Sequence, residues 1–218
     1  QLKRIPVNKL IIDRSVPLAV SRMNAIQKVE TEWFAFIDDD VLVGENWFKE
    51  ITSHIKPKVG AIAGREQIVG LGKKWDDELN AFRWSKGTRE LKIGERGTTV
   101  NTLIRTDLVK DWKPSRPDLS AWEDYEITQH ILKKGYKWLE VNAHATHYGW
   151  TWMILPGKTC WHAEGQKKII PPGRLYPPRY VFHAMLTPPI YFIKAFLRMA
   201  AHAIHYKRNL NFNYCGFR

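Results

Sequence analysis

Lys9-Leu10-Ile11-Ile12-Asp13 is a short apolar run ending in an acid and followed by Arg14-Ser15, which predicts a buried strand running into a loop. A short helix is expected over Arg22 to Val29. Trp33-Phe34-Ala35-Phe36-Ile37 is apolar without alternation, the pattern of a strand covered on both faces in a parallel sheet, and it stops abruptly at Asp38-Asp39-Asp40. Asn46 to Ile55 then places Trp47, Phe48, Ile51 and Ile55 at helical spacing, and Gly60-Ala61-Ile62-Ala63-Gly64 reads as a small-residue strand. Strands alternating with helices predict an α/β layer architecture with a parallel sheet. From Arg65 to Arg96 the pattern dissolves into polar sequence with Gly and Trp, read as a loop or inserted excursion.

Ser120-Ala121-Trp122-Glu123 has the form of a capping box, with Ser at the N-cap and Glu closing it, and opens a helix that Gly135 ends after Lys133 and Lys134. Tyr136 to Val141 reads as a strand leading to His144 and His147. Proline pairs at 171–172, 177–178 and 188–189 divide the C-terminal part of the chain into short pieces. Ile190 to Tyr206 is rich in apolar residues, with Lys194, Arg198, His202 and His205 recurring along one helical stripe. No uninterrupted apolar run reaches the roughly 18–20 residues of a spanning helix.

A chain of 218 residues accommodates one α/β domain with an appendage, here 1–150 and an aromatic, basic extension over 151–218. The formal charge of +12 divides unevenly: from Gly165 onward there are nine Lys or Arg and no acid, leaving +3 for everything before. Such a cationic block suggests an anionic surface as partner, membrane or nucleic acid. Cys160 and Cys215 provide neither a disulfide framework nor a Cys-x-x-Cys spacing, which favours a reducing compartment and disfavours structural zinc.

Consecutive aspartates at the end of a buried strand are costly unless a cation occupies the site. In an extended chain Asp38 and Asp40 point the same way, at the strand ends where α/β sheets bind ligands, which suits Mg²⁺ or Mn²⁺ shared with a ligand's phosphates. An acidic turn capping the next helix accounts for the same residues. Asp124 lies in the first turn of the capped helix, where the dipole favours an ionised carboxylate able to accept a proton from a hydroxyl. Glu123 is explained by its capping role. His147 is either a polar loop residue or a metal ligand that tilts the site towards Mn²⁺, and His144 is the weaker candidate.

The order of these segments resembles the family-2 glycosyltransferases. Asp13-Arg14-Ser15 is similar to the end of that family's second strand, and Ser21-Arg22-Met23-Asn24-Ala25-Ile26 to its Ala-Arg-Asn-x-Gly-Ile segment. Glu32 to Asp40 matches the strand bearing its D-x-D motif, and Trp122-Glu123-Asp124-Tyr125-Glu126-Ile127 its Glu-Asp helix, followed by Gly135-Tyr136 and the strand to His147. The resemblance covers about residues 1–150, and its force lies in joint order and spacing. It implies a GT-A fold, a Rossmann-like, mostly parallel sheet flanked by helices, and transfer of a sugar from a nucleoside-diphosphate donor with inversion. By the same resemblance Asp40 is a direct metal ligand, with Asp38 nearer the ribose and His147 a further ligand. Asp124 is the base beside Glu123, and Asp13, Arg22, Asp38 and Asp39 are donor-site residues. The family's first strand is missing before Gln1, Met23 stands where Asn is usual, and no Gln-x-x-Arg-Trp motif follows the Glu-Asp helix, which disfavours a processive synthase.

The basic stripe within an apolar segment over about 188–207 is that of an interfacial helix, and the aromatic residues from Trp150 onward suit the headgroup level. The expected setting is peripheral, at the cytoplasmic face of a membrane, with a glycan or lipid-linked acceptor. Two readings compete: a nucleic-acid-binding protein using its basic aromatic tail, and a donor-binding homologue without turnover.

Overall fold

The computed structural model describes residues 17–83, 87–151 and 153–169, all within the unit Gln1–Ile169. Asp13, the strand expected over 9–13 and the basic segment expected to form a helix at about 188–207 lie outside the described residues.

The described chain is α/β. Helix α1 (Leu18–Gln27) leads to strand β1 (Trp33–Ile37), a turn and the short strand β2 (Val41–Val43). Helix α2 (Trp47–Thr52) and the long strand β3 (Val59–Ile68) come next, then helix α3 (Lys73–Arg83), a two-residue strand β4 (Arg89–Glu90) and strand β5 (Asn101–Arg105). Helix α4 (Glu123–Lys133), strand β6 (Lys137–His147) and helix α5 (Leu155–Ile169) complete it. The strands lie in the order β1-β5-β3-β6-β2, with β4 pairing β6.

The sheet is mixed, so the expectation of a mostly parallel sheet is met only in part. Among the described residues β3 and β6 pair in parallel, while β1/β5, β3/β5, β2/β6 and β4/β6 are antiparallel. Helices still cover both faces. Ile26 of α1 with Ile127 and Ile131 of α4 packs on one, around Ala61, Ala63, Ile104 and Trp138. Trp47 and Ile51 of α2 pack on the other, around Ile62, Leu103, Val141 and Ala143. Consecutive β3 residues face opposite helical layers, as the two-residue period of a strand requires.

β1 departs from its expected burial. Phe34 and Phe36 pack on the first core, whereas Ala35 is exposed and Ile37 is 44% exposed. Only β5 pairs with β1 among the described residues, so β1 is an edge strand there rather than one in the middle of the sheet. Arg65–Arg96 is not an unstructured excursion either. β3 runs on to Ile68, and Asn80 of α3 clasps its end, its side-chain amide donating to the Ile68 carbonyl and accepting from the Ile68 N–H, both at 2.8 Å. The Asp76 carboxylate accepts the N–H groups of Gly70 and Leu71, anchoring the start of the same helix.

The capping box at 120–123 does not form. The residue preceding α4 is Trp122, in the left-handed region at φ 73°, and no side chain caps the helix. Ser120 stands outside, and Glu123 is taken by an ion pair with Arg22. Gly135, at φ 79°, makes the left-handed turn that ends the helix as expected.

Candidate functional site

Arg22, on α1, joins segments far apart in the chain. Its Nη2 lies 3.5 Å from Asp38 Oδ1 and its Nη1 3.2 Å from Glu123 Oε1, and Nη1 also donates to the Thr99 hydroxyl. The guanidinium stacks over Phe36 at 5.0 Å, so the strand carrying the aspartates also supports their counter-charge. Met23, the residue after Arg22, packs against the apolar core.

The three aspartates do not continue β1. The Asp38 carbonyl accepts the Val41 N–H at 3.1 Å, closing a turn over 38–41, while the Asp38 N–H donates to Val100. Asp38 faces Arg22, and Asp40 faces His147, its Oδ2 lying 3.2 Å from Nε2. The two remain close enough for their charges to interact. Burial, aided by the Asp40 and Glu66 charges and opposed by Arg22 and His147, raises the Asp38 pKa. Asp39 is exposed at the turn, beside the cluster rather than within it.

His147 is the last residue of β6, buried rather than in a loop. Its Nδ1 is 2.8 Å from Glu66 Oε2, so the ring lies between the carboxylates of β3 and of the turn. Trp150 meets the ring edge-on at 5.8 Å, and Lys158 of α5 lies over that indole with Nζ 4.0 Å from Asp40 Oδ2. His144 is exposed on the same strand and takes no part among these contacts.

At the start of α4 the two acids have separate partners. Glu123 is 3% exposed and pairs with Arg22; its pKa is raised, by burial first, against the Arg22 charge and with that of Asp124. Asp124, 5% exposed, is gripped by Arg96: Nε donates to Oδ1 at 2.8 Å and Nη2 to Oδ2 at 2.7 Å. Arg96 stacks on Trp122 at 4.7 Å, and the Asp124 charge raises its pKa despite burial. Oδ1 also accepts the Tyr125 N–H, which leaves Oδ2 as the oxygen with more spare accepting capacity.

Arg22, Asp38, Asp40, Glu123, Asp124 and His147 are thus all held by charged partners, while Asp13 is outside the described residues. Glu66, Arg96, Thr99 and Lys158 join the site only through the fold. Glu66 leaves one trace in the sequence, an acid two places before the apolar end of a buried strand. Arg96 leaves none, since its partner is 28 positions away.

Among the described residues no group of three or more His, Cys, Asp or Glu is arranged to hold a metal ion. Asp40 Oδ2 and His147 Nε2 nevertheless converge at 3.2 Å. Neighbouring ligands of one octahedral cation with bonds of about 2.1 Å are roughly 3 Å apart, so this pair fits two corners of such a site.

Burial lowers the His147 pKa, but the hydrogen bond and charge of Glu66 and the charge of Asp40 outweigh burial and the Lys158 charge, and the pKa is raised from its ordinary 6.5. A raised folded-state pKa contributes stability that is complete below the unfolded value and is lost as pH rises through the folded one. With divalent cations chelated, the melting temperature of the parent should fall above about pH 6.5 more steeply than that of His147→Gln. Identical pH profiles for the two proteins would show that the pairing does not stabilise the fold.

No protein-family model, curated protein or solved structure matches this chain.

Proposed function

We propose that the chain is a metal-dependent, inverting glycosyltransferase of GT-A fold that moves a sugar from a nucleoside-diphosphate donor to an acceptor hydroxyl. The observation that carries this reading is Arg22, whose guanidinium bridges Asp38 of the triple-aspartate turn and Glu123 of the Glu-Asp helix. Segments that resemble the family one by one are therefore also neighbours in space. The mixed α/β sheet, with ligand-competent residues gathered at strand ends, is compatible with the same fold.

In this reading Asp40 and His147 would hold Mn²⁺ or Mg²⁺, shared with the donor's diphosphate. The cation supplies charge neutralisation for the departing nucleoside diphosphate. Arg22, Asp38 and Asp39 contact the donor. Asp124 accepts the acceptor's hydroxyl proton on Oδ2 as the acceptor oxygen bonds to the anomeric carbon. The bond from that carbon to the diphosphate breaks, and its electron pair leaves on the phosphate oxygen.

No helix among the described residues is long and apolar enough to cross a membrane. The cationic block from Gly165 onward, together with exposed Met153, Ile154 and Trp161, supports peripheral attachment and a lipid-linked acceptor at the cytoplasmic face. The bidentate hold of Arg96 on Asp124 favours one second reading, a donor-binding protein without turnover.

The test is a thermal-shift series with nucleoside diphosphates, with and without Mn²⁺, since a ligand that binds only the folded state raises the melting temperature. A shift that requires both is expected in the parent. Asp40→Asn should abolish it while the protein stays folded, because a charged ligand is lost from a site that already concentrates negative charge. Equal shifts in parent and variant would remove Asp40 from the metal site, and binding without sugar transfer would favour the second reading.

A further inference from the structure

We infer that Glu66 is the positioning residue that fixes the His147 tautomer, so that Nε2 and Asp40 Oδ2 together form a half-site selective for Mn²⁺ over Mg²⁺. This deepens the glycosyltransferase reading and rests on it, because the donor's diphosphate completes the coordination.

Glu66 lies near the end of β3 between Arg65 and Gln67, and it alone of these three is buried, at 2% exposed. A carboxylate in such a place costs several kcal/mol unless a charged or strongly donating partner is built in beside it. The sheet register supplies one. Ile68 lies opposite His147 in the parallel β3/β6 ladder, and Glu66 precedes Ile68 by two residues, so Glu66 and His147 project from the same face. Their side chains meet at 2.8 Å, between Oε2 and Nδ1.

An ionised carboxylate can only accept, so Nδ1 must be the donating nitrogen. In the neutral ring the lone pair then sits on Nε2, which is the atom directed at Asp40 Oδ2. Asp40 makes the opposite demand, because its Oδ2 is also an acceptor, 3.2 Å from Nε2; without the shorter, buried Glu66 contact at 2.8 Å the proton would sit on Nε2 and block coordination. A carboxylate behind a ligating imidazole also raises its basicity as a ligand. Nitrogen donors bind the first-row transition ion in preference to Mg²⁺, whereas Asp40 alone would discriminate little between them.

The test compares parent, Glu66→Gln and His147→Asn as full chains. Mn²⁺ affinity is measured by electron paramagnetic resonance, for the ion alone and with uridine or guanosine diphosphate, and Mg²⁺ by competition. In parallel, ¹⁵N imidazole NMR of the metal-free parent, at a pH high enough for the ring to be neutral, reads the His147 tautomer and needs no variant to fold. The expected result is an Nδ1–H ring in the parent, and a loss of Mn²⁺ affinity of about 10–100-fold in Glu66→Gln. The amide still permits the hydrogen bond but no longer dictates its direction, and Mg²⁺ affinity should fall less because that ion depends on the Asp40 oxygen more than on the imidazole nitrogen. A parent ring protonated on Nε2 alone, or a folded Glu66→Gln protein that binds Mn²⁺ as the parent does, overturns the role of Glu66 and leaves the glycosyltransferase reading standing. A parent that binds no Mn²⁺ even with diphosphate overturns both.

Discussion

Asp124→Asn is expected to lower sugar transfer by about 10²-fold or more while donor binding persists. The substitution preserves size and the start of α4 but removes the group proposed to take up the acceptor's proton. It also halves the Arg96 contact. The amide oxygen can accept from one guanidinium N–H, while the amide NH₂ opposes the other. Removing one member of a fully buried ion pair costs about 3–5 kcal/mol. Arg96 has 28% of its side chain exposed, so water recovers part of that here. Glu123→Gln separates the two acids. A capping role would make that change mild, but Glu123 is the counter-charge of Arg22, and its loss should weaken donor affinity first. Single-turnover transfer and equilibrium donor binding, measured on both variants, check the assignment. Unchanged turnover in Asp124→Asn removes it as the base.

How much of this site the sequence discloses depends on the range over which each signal acts. Asp38 to Asp40, Glu123 and Asp124 stand out because a local apolar run or helix start sets them off. The helix ending at Gly135 and the strand towards His147 are legible for the same reason. The capping box is a false local signal: Ser120 and Glu123 have the right spacing, but the ion pair with Arg22 and the left-handed Trp122 displace it. Tertiary charge pairing overrides the local preference. Glu66 and Arg96 acquire meaning only through partners 81 and 28 positions away, which no periodicity in one chain encodes. The mixed sheet is hidden similarly. β5 is the short segment Asn-Thr-Leu-Ile-Arg, which lacks a long apolar run, and it inserts antiparallel between β1 and β3.

Gly64→Ala is expected to cost about 3 kcal/mol of stability, the upper end for overpacking, and to weaken donor binding with it. Gly64 sits within β3 where the register with β6 shifts. A Cβ there would lie 2.0 Å from Asn101 Oδ1, 2.6 Å from the Ala143 carbonyl oxygen and 2.8 Å from Trp47 Nε1. Neither the carbonyl, which belongs to the strand alongside, nor the buried indole can withdraw easily. Asn101 is fully buried and accepts the Trp47 N–H at 3.1 Å, so pushing it aside breaks that bond away from bulk solvent. The disturbance has a direct route to the aspartates. Asn101 pairs with Ile37, and the residue before it, Val100, accepts the Asp38 N–H at 3.0 Å. Displacing the start of β5 therefore moves the turn that carries Asp38 and Asp40. Trp47→Phe serves as the comparison, since it deletes the same hydrogen bond and removes volume instead of adding it; it should cost about 1–3 kcal/mol without pushing Asn101 aside. Denaturant midpoints at constant slope give the stabilities, and diphosphate affinity with Mn²⁺ reports the site. If Gly64→Ala matched the parent in both, the close packing of β3 against β5 and β6 could not be what holds the aspartate turn in place.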